Sequence, residues 1–334
     1  AGDVAEDLHV LAAGRELGVF ARIAAELDVY YAFALSAAEN GYVCPEVDLS
    51  HDLEIEGGRH PVVERALPPG TFVPNNVSLN DRDPQIMIIT GPNMSGKSVY
   101  LRQTAVLVIM AQAGSFVPAK SARIGLVDRI MTRIGAHDAL ARGESTFMVE
   151  MKETANILAS FTRRSLILLD EIGRGTSTFD GISIAWAVIE YLKNQDGGPK
   201  VLFATHYFEL TDLEEKYPGI INCNVAVREW RNAQGRNEVI FLHKIERGTA
   251  DKSYGIHVAG LAGLPVSCIA RAGRILETLE TKSDLVTEKQ KAEPKLPLFA
   301  SHPVLDELRL VVPEKLSPLE ALSLIDGWKK QLDG

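Results

Sequence analysis

Gly91-Pro92-Asn93-Met94-Ser95-Gly96-Lys97-Ser98 sets two glycines, a lysine and a serine in the order G-x-x-x-x-G-K-S. An apolar run ending at Thr90 precedes it, and a segment of helical pattern follows. Strand, loop and helix in that order are the context in which this spacing binds phosphate. Glycine lets the backbone curl until its N–H groups face one anionic point. A helix starting near Lys97 adds its positive end. In such a loop Lys97 would reach the β- and γ-phosphates of a nucleotide, and Ser98 would ligate Mg2+.

Three further stretches carry groups suited to the same chemistry. "LILLDE", residues 166 to 171, reads as a buried strand ending in two acids. Asp170 would hold Mg2+ directly or through water, and Glu171 would orient and deprotonate an attacking water. "VLFATH" ends the next strand at Thr205-His206, where an imidazole could sense the γ-phosphate or polarise the water. "GESTFMVEM", residues 143 to 151, precedes the acidic strand. Its Gly143, Ser145 and Thr146 offer hydroxyls and N–H groups to an anion ahead of a helix. Ser145 or Thr146 could equally cap the helix that carries Glu150 and Lys152, and both roles are compatible.

The segments around these groups show how they would be positioned. Short apolar strands are expected at 86–90, 166–170, 201–205 and 239–243. They alternate with helical patterns at 98–113, 150–162, 182–194 and 265–279, which argues an α/β sheet with helices on both faces. Upstream, apolar residues from Leu8 to Tyr31 recur at helical steps, predicting a helix over 3–40. A β-like stretch punctuated by Pro and Gly runs from 42 to 80. Residues 281 to 300 are charged, carry two prolines and read as a linker. The last segment, 303 to 332, is helical in pattern, with a capping box at Ser317-Pro-Leu-Glu320. It is too short to bury its many leucines alone and is expected to pair with a second copy.

The 334 residues have the composition of a globular protein, 46% hydrophobic and 24% charged, and a net charge of −9 announces no global basic field for nucleic acid. The three cysteines, Cys44, Cys223 and Cys268, show no metal or disulfide spacing and fit a reducing cytosol. No signal peptide is seen, and the longest apolar run, 105 to 113, is too short for a membrane span. The sequence opens at Ala1 inside a helical pattern and reads as part of a longer chain.

Taken in order, "TGPNMSGKS", "STFMVEM", "LLDEIGRGTSTFDG" and "FATHYFEL" resemble the ATPase domain of the MutS family of DNA mismatch-repair proteins. "EGGRHPVVE", "QAGSFVPA" and "DKSYGIHVAGLAGLP" agree as flanks. The resemblance is dense over 40 to 280 and looser from 303 onward. It implies a three-layer α/β P-loop ATPase of the ATP-binding-cassette type, with an N-terminal helical stub and a small helical C-terminal module. The implied domains are 1–40, the end of lever or clamp helices; 41–280, the ATPase domain; 281–302, a linker; and 303–334, an oligomerisation module.

The resemblance also implies roles. Gly91, Pro92, Asn93, Met94, Ser95, Gly96, Lys97 and Ser98 would bind the phosphates of ATP or ADP. Phe72, Val73 and His243 would form the adenine pocket, and Ser145 would reach the partner subunit's nucleotide. Glu171, His206 and Lys97 would serve hydrolysis, and Ser98 and Asp170 would hold Mg2+. The loop 173–181 would carry cross-talk between two sites. Val99 stands where the family pattern has threonine; the metal role belongs to the preceding Ser98, so the departure leaves the expected activity unchanged.

The implied assembly is a homodimer, with a tetramer open to it through the C-terminal module, and the partners are a MutL-type protein and mismatched DNA. The implied location is the bacterial cytoplasm, in association with the nucleoid and not a membrane. None of the eleven phenylalanines has glutamate two positions on, so the mismatch-reading wedge is expected to lie outside this sequence. A membrane-transporter motor would carry a signature nearer L-S-G-G-Q. A bare assembly module would have no need of Lys97, Ser98, Asp170 and Glu171 together.

Overall fold

The computed structural model describes residues 2–135, 145–195, 197–231, 237–249, 254–292, 322 and 324–329. The chain divides into two compact units, Ala1–Val258 and Ala259–Gly334.

The first unit opens with α1 (Gly2–Asn40), where the periodicity predicts a helix. Its apolar positions do not form a buried stripe: Leu17, Phe20, Leu27, Tyr30 and Tyr31 are exposed, and of its described side chains only Ala37 is buried. Then follow β1 (Glu46–Asp48), β2 (Leu53–Gly58), α2 (Pro61–Ala66) and β3 (Asn75–Leu79). The sequence suggests a β-like stretch punctuated by Pro and Gly here, and α2 stands within it. His60 caps this helix by accepting from the N–H groups of Val62 and Val63, and Pro61 supplies a φ already set for its first turn.

Next come β4 (Ile86–Thr90), α3 (Lys97–Gln112), β5 (Ser121–Gly125), β6 (Ile130–Arg133), α4 (Thr146–Ser160), β7 (Leu166–Asp170), α5 (Thr178–Lys193) and β8 (Lys200–Thr205). A 3-10 turn (Phe208–Asp212), α6 (Leu213–Lys216), β9 (Ile220–Arg231) and β10 (Asn237–Arg247) complete the series, and α7 (Gly255–Leu261) contains the point at which the chain divides. β9 and β10 form a long antiparallel pair of which only 239–243 was expected. β9 mixes polar and apolar residues without strict alternation, so its pattern is weak in isolation.

The strands form two sheets. A four-stranded sheet has the order β1-β5-β2-β3, and a six-stranded sheet has the order β10-β9-β4-β8-β7-β6. In the larger sheet β4 runs parallel to β8 and β9, and β7 parallel to β8 and β6; β10 is the antiparallel edge.

The central strands are apolar without alternation because both of their faces are covered. Met87, Ile89, Leu168 and Leu202 share one core with α3 and the smaller sheet. Ile86, Ile88, Ile167, Leu169 and Phe203 share the opposite core with Ile157 of α4 and with Ala185, Val188, Ile189 and Leu192 of α5. The parallel strands β4, β7 and β8 therefore end side by side, at the edge where ligands of open α/β sheets bind.

The second unit holds α8 (Val266–Ala292) and helical residues at 322 and 324–329. The helix runs over 281–292, part of the segment that its charge suggested as a linker. No Pro or Gly lies between Val266 and Ala292 except Gly273, and Lys, Glu and Gln are good helix formers. The two prolines come at 294 and 297, outside the described residues. The capping box at 317–320 and most of the proposed C-terminal module also lie outside them, as does Gly143.

Candidate active site

Three helices begin near the ends of the parallel strands, and they differ at their first turns. Ser145 caps α4 by accepting from the Met148 N–H at 3.1 Å, and Ser177 caps α5 through the Asp180 N–H. The cap position of α3 is Gly96, in the left-handed region at φ 103°, and no side chain satisfies the helix N–H groups behind it. A side chain at residue 96 would be strained there, and its Cβ would come 3.3 Å from His243 Nδ1. The start of α3 thus offers uncapped donors to an anion.

Around that helix end the charged groups converge. The Lys97 amine donates to the carbonyls of Gly91 (2.5 Å) and Pro92 (3.0 Å), and lies 3.9 Å from Glu171 Oε1. Burial lowers its pKa, partly offset by the charges of Glu171 and Asp170. The Ser98 hydroxyl donates to Asp170 Oδ2 at 2.5 Å. Asp170 Oδ1 is buried and has no hydrogen-bond partner. Burial raises the Asp170 pKa, Ser98 opposes the rise, and the charge of Glu171 adds to it.

A hydroxyl, a carboxylate oxygen in contact with it and a second carboxylate oxygen still unsatisfied suit a hard cation that keeps most of its own water. Among the described residues no group of three or more His, Cys, Asp or Glu could hold a metal. The pair fits Mg2+ with phosphate ligands better than a cage built wholly of protein.

Glu171 follows directly, at φ 55°, a strained conformation for a residue with a side chain. Its N–H donates to Ala204 O of the neighbouring strand, which holds the turn. Its Oε2 accepts from Arg174 at 2.8 Å, and its Oε1 lies 3.9 Å from His206 Nδ1. Burial lowers the His206 pKa below the ordinary histidine value, against the pull of the Glu171 charge, so the ring is neutral at pH 7. Its ring centroid lies 4.2 Å from that of Tyr207.

Beyond Glu171 the loop turns through Gly173, where a Cβ would come within 2.6 Å of the Gly181 Cα. Three groups fix this turn. Tyr207 Oη donates to the Gly173 carbonyl at 3.0 Å, the Gly173 N–H donates to Glu150 at 2.5 Å, and Glu150 pairs with buried Arg133 at 3.5 Å. Ser98, Arg102, Asp170, Glu171, Arg174 and Glu150 line a cleft of about 460 Å³.

A second cavity, of about 250 Å³, lies on the other side of the phosphate loop. Phe72, Val73, Met94, Val99, Tyr100 and His243 are among its walls. His243 sits at φ 52° in a β-bulge of β10, between the paired residues Phe241 and Ile245. Its Nδ1 lies 2.8 Å from Ser95 O, an acceptor, so Nδ1 carries the proton in this arrangement.

Residues 87–280 match the family MutS domain V. The chain belongs to the MutS family. It is 55% identical to the DNA mismatch repair protein MutS of Syntrophomonas wolfei, over 92% of this chain and 35% of that protein. The proteins of the same name from Ruminiclostridium cellulolyticum and Desulfatibacillum aliphaticivorans are 52% and 50% identical, over 94% and 92% of this chain. They too are covered only to 37% and 35%. The chain thus spans about a third of the length of the curated relatives it matches.

Within this MutS-family chain the expected phosphate and acid residues form one cluster, Lys97, Ser98, Asp170, Glu171 and His206, and Phe72, Val73 and His243 share the second cavity. Ser145 is exposed and acts as a helix cap; Asn93 is exposed at the tip of the loop. Sequence reasoning missed Asn75, Arg133, Arg174 and Tyr207. Arg174 lies inside the recognised "GRGTSTFDG", so its position was a usable signal. Nothing in the sequence marks Arg133, which pairs with Glu150 of another element, or Asn75, which donates to the remote His243 carbonyl.

No helix among the described residues is long and apolar enough to cross a membrane.

Proposed function

We propose that the chain binds and hydrolyses ATP with Mg2+, as the ATPase and dimerisation part of a MutS-type mismatch-repair protein. One observation carries the reading: the Ser98 hydroxyl on Asp170 at 2.5 Å, with the second Asp170 oxygen buried and unpartnered, below a helix start that no side chain caps. Phosphates would receive the loop N–H groups and the Lys97 amine, which exchanges its two carbonyl partners for phosphate oxygens. Ser98 and Asp170 would hold Mg2+, which supplies charge neutralisation at the phosphate oxygens.

Arg174 holds one oxygen of Glu171, which leaves Oε1 facing Lys97 and His206. That oxygen takes the proton of a water as the water oxygen bonds to the γ-phosphorus and the bond to the bridging oxygen breaks. Neutral His206 offers a hydrogen bond to the same water or to the γ-phosphate. The base would lie in the apolar cavity, its flat face against Phe72.

The relatives named above are mismatch-repair proteins, and the assembly proposed here follows that likeness. Two copies would place Ser145 of each at the nucleotide of the other. The C-terminal segment would add a further self-association contact, and a MutL-type partner and mismatched DNA would engage the longer protein in the bacterial cytoplasm. The test is turnover of ATP by the purified chain with Mg2+. Lys97→Ala should weaken ATP affinity by roughly 10- to 100-fold, the worth of a hydrogen bond between charged groups. Unchanged affinity would refute the assignment of the phosphate loop.

A further inference from the structure

The bulge that presents His243 leaves backbone groups that the β9–β10 ladder cannot satisfy. Phe241 pairs with Val227 and Ile245 with Val225, so three residues of β10 stand against one of β9. Backbone groups released in this way and partly withdrawn from water need other partners. One side chain supplies them. Asn75, at the start of β3 in the smaller sheet, donates through Nδ2 to the His243 carbonyl at 2.9 Å. Its Oδ1 accepts from the Ile245 N–H at 2.8 Å. The same Nδ2 also donates to the Val73 carbonyl at 3.2 Å, in the opposite wall of the cavity. Asn75 is 5% exposed, and each of its three bonds is made to backbone.

We infer that Asn75 is a positioning residue for the base cavity, fixing His243 and the Phe72–Val73 wall at one separation. It replaces a missing length of strand and holds His243 in its left-handed conformation. The His243 ring then meets the phosphate loop at the Ser95 carbonyl, an acceptor that takes no part in binding an anion. Only an amide can do this: it gives two donors and an acceptor in one plane. A carboxylate would keep the Ile245 N–H bond and face two carbonyls without a proton. The consequence is a separation of two affinities. Base recognition depends on Asn75, whereas phosphate recognition by Lys97 and the start of α3 does not. The inference rests on the nucleotide reading above.

The experiment is calorimetric titration of the chain, and of its Asn75→Asp and Asn75→Ala variants, with ADP, GDP and inorganic tripolyphosphate, all with Mg2+. Both variants are expected to weaken ADP by about tenfold or more, since Asn75→Asp loses two part-buried hydrogen bonds and Asn75→Ala loses three. Both should keep tripolyphosphate within about twofold and should narrow the ADP-to-GDP ratio. ADP affinity unchanged in both variants would overturn the inference. So would a parallel loss of ADP and tripolyphosphate in both, which would make Asn75 a general scaffold residue. An unmutated chain that binds neither ADP nor tripolyphosphate would instead refute the nucleotide reading, and this inference with it.

Discussion

The two cavities flanking the phosphate loop are built in opposite ways. The cleft that holds Ser98, Asp170 and Glu171 is lined by charged groups from the ends of β6 and β7, from α3 and α4, and from the loop after β7. Asp170 ends β7 and Ser98 stands in the first turn of α3, so regular structure places both. The cavity that holds Phe72 and His243 is mostly apolar and lies where two sheets meet, with walls supplied by β3 and its approach on one side and by the bulge of β10 on the other. Its geometry depends on Asn75 and His243, 168 residues apart, meeting through one hydrogen bond. On the proposed reading, chemistry would be anchored in regular structure, and base selection in an irregularity held by a side chain. Damage to the first should appear in turnover, and damage to the second in affinity for the base.

The largest effect should come from Glu171→Gln. Nucleotide binding should persist while hydrolysis falls by roughly 10²–10⁴, the usual contribution of a positioned base. Single-turnover kinetics beside equilibrium binding would check this. Surviving hydrolysis would move the base elsewhere, with His206 the next candidate, and would blur the division of labour between the cavities.

A smaller effect is expected from Phe72→Ala on the apolar side. An aromatic pair contributes about 0.5–1.5 kcal/mol beyond its buried area, so ADP affinity should fall several-fold at unchanged kcat. A fall in kcat at unchanged affinity would show that the base wall also shapes the reacting end.

The mildest effect is one of pH. Burial raises the Asp170 pKa above its ordinary 3.8. Mg2+ needs the carboxylate, so protonation competes with the metal. The Mg2+-dependent part of nucleotide affinity should decline on acidification at a higher pH than an ordinary aspartate would give, and tripolyphosphate should show the same profile as ADP. Asp170→Asn should abolish the Mg2+-dependent part at every pH. A decline confined to ADP would place the titrating group in the base cavity instead.

These contrasts follow how each region is written in the chain. Lys97, Ser98, Asp170, Glu171 and His206 were legible because each closes a short apolar strand or opens a helix, and the spacing survives in one dimension. The parallel core was legible for the same reason: β4, β7 and β8 are buried on both faces and read as unbroken apolar runs. Phe72, Val73 and His243 came from family resemblance, since one aromatic residue and one histidine carry no pattern of their own. The helix over 281–292 is hidden in the sequence because its charge density matches that of a linker, although nothing there breaks a helix.

By itself, then, the sequence determined the strand–loop–helix that presents donors to an anion and the two acids that end a buried strand. Local backbone preference and burial are enough to specify them. Tertiary structure decided that Ser98 meets Asp170, that Arg174 turns back onto Glu171, that Glu150 and Arg133 brace Gly173, and that Asn75 completes a bulge in another sheet. Each of these joins is a hydrogen bond or ion pair between groups remote in the chain or in a folded loop. A bond of this kind is worth making only after apolar packing has brought its partners together and withdrawn them from competing water.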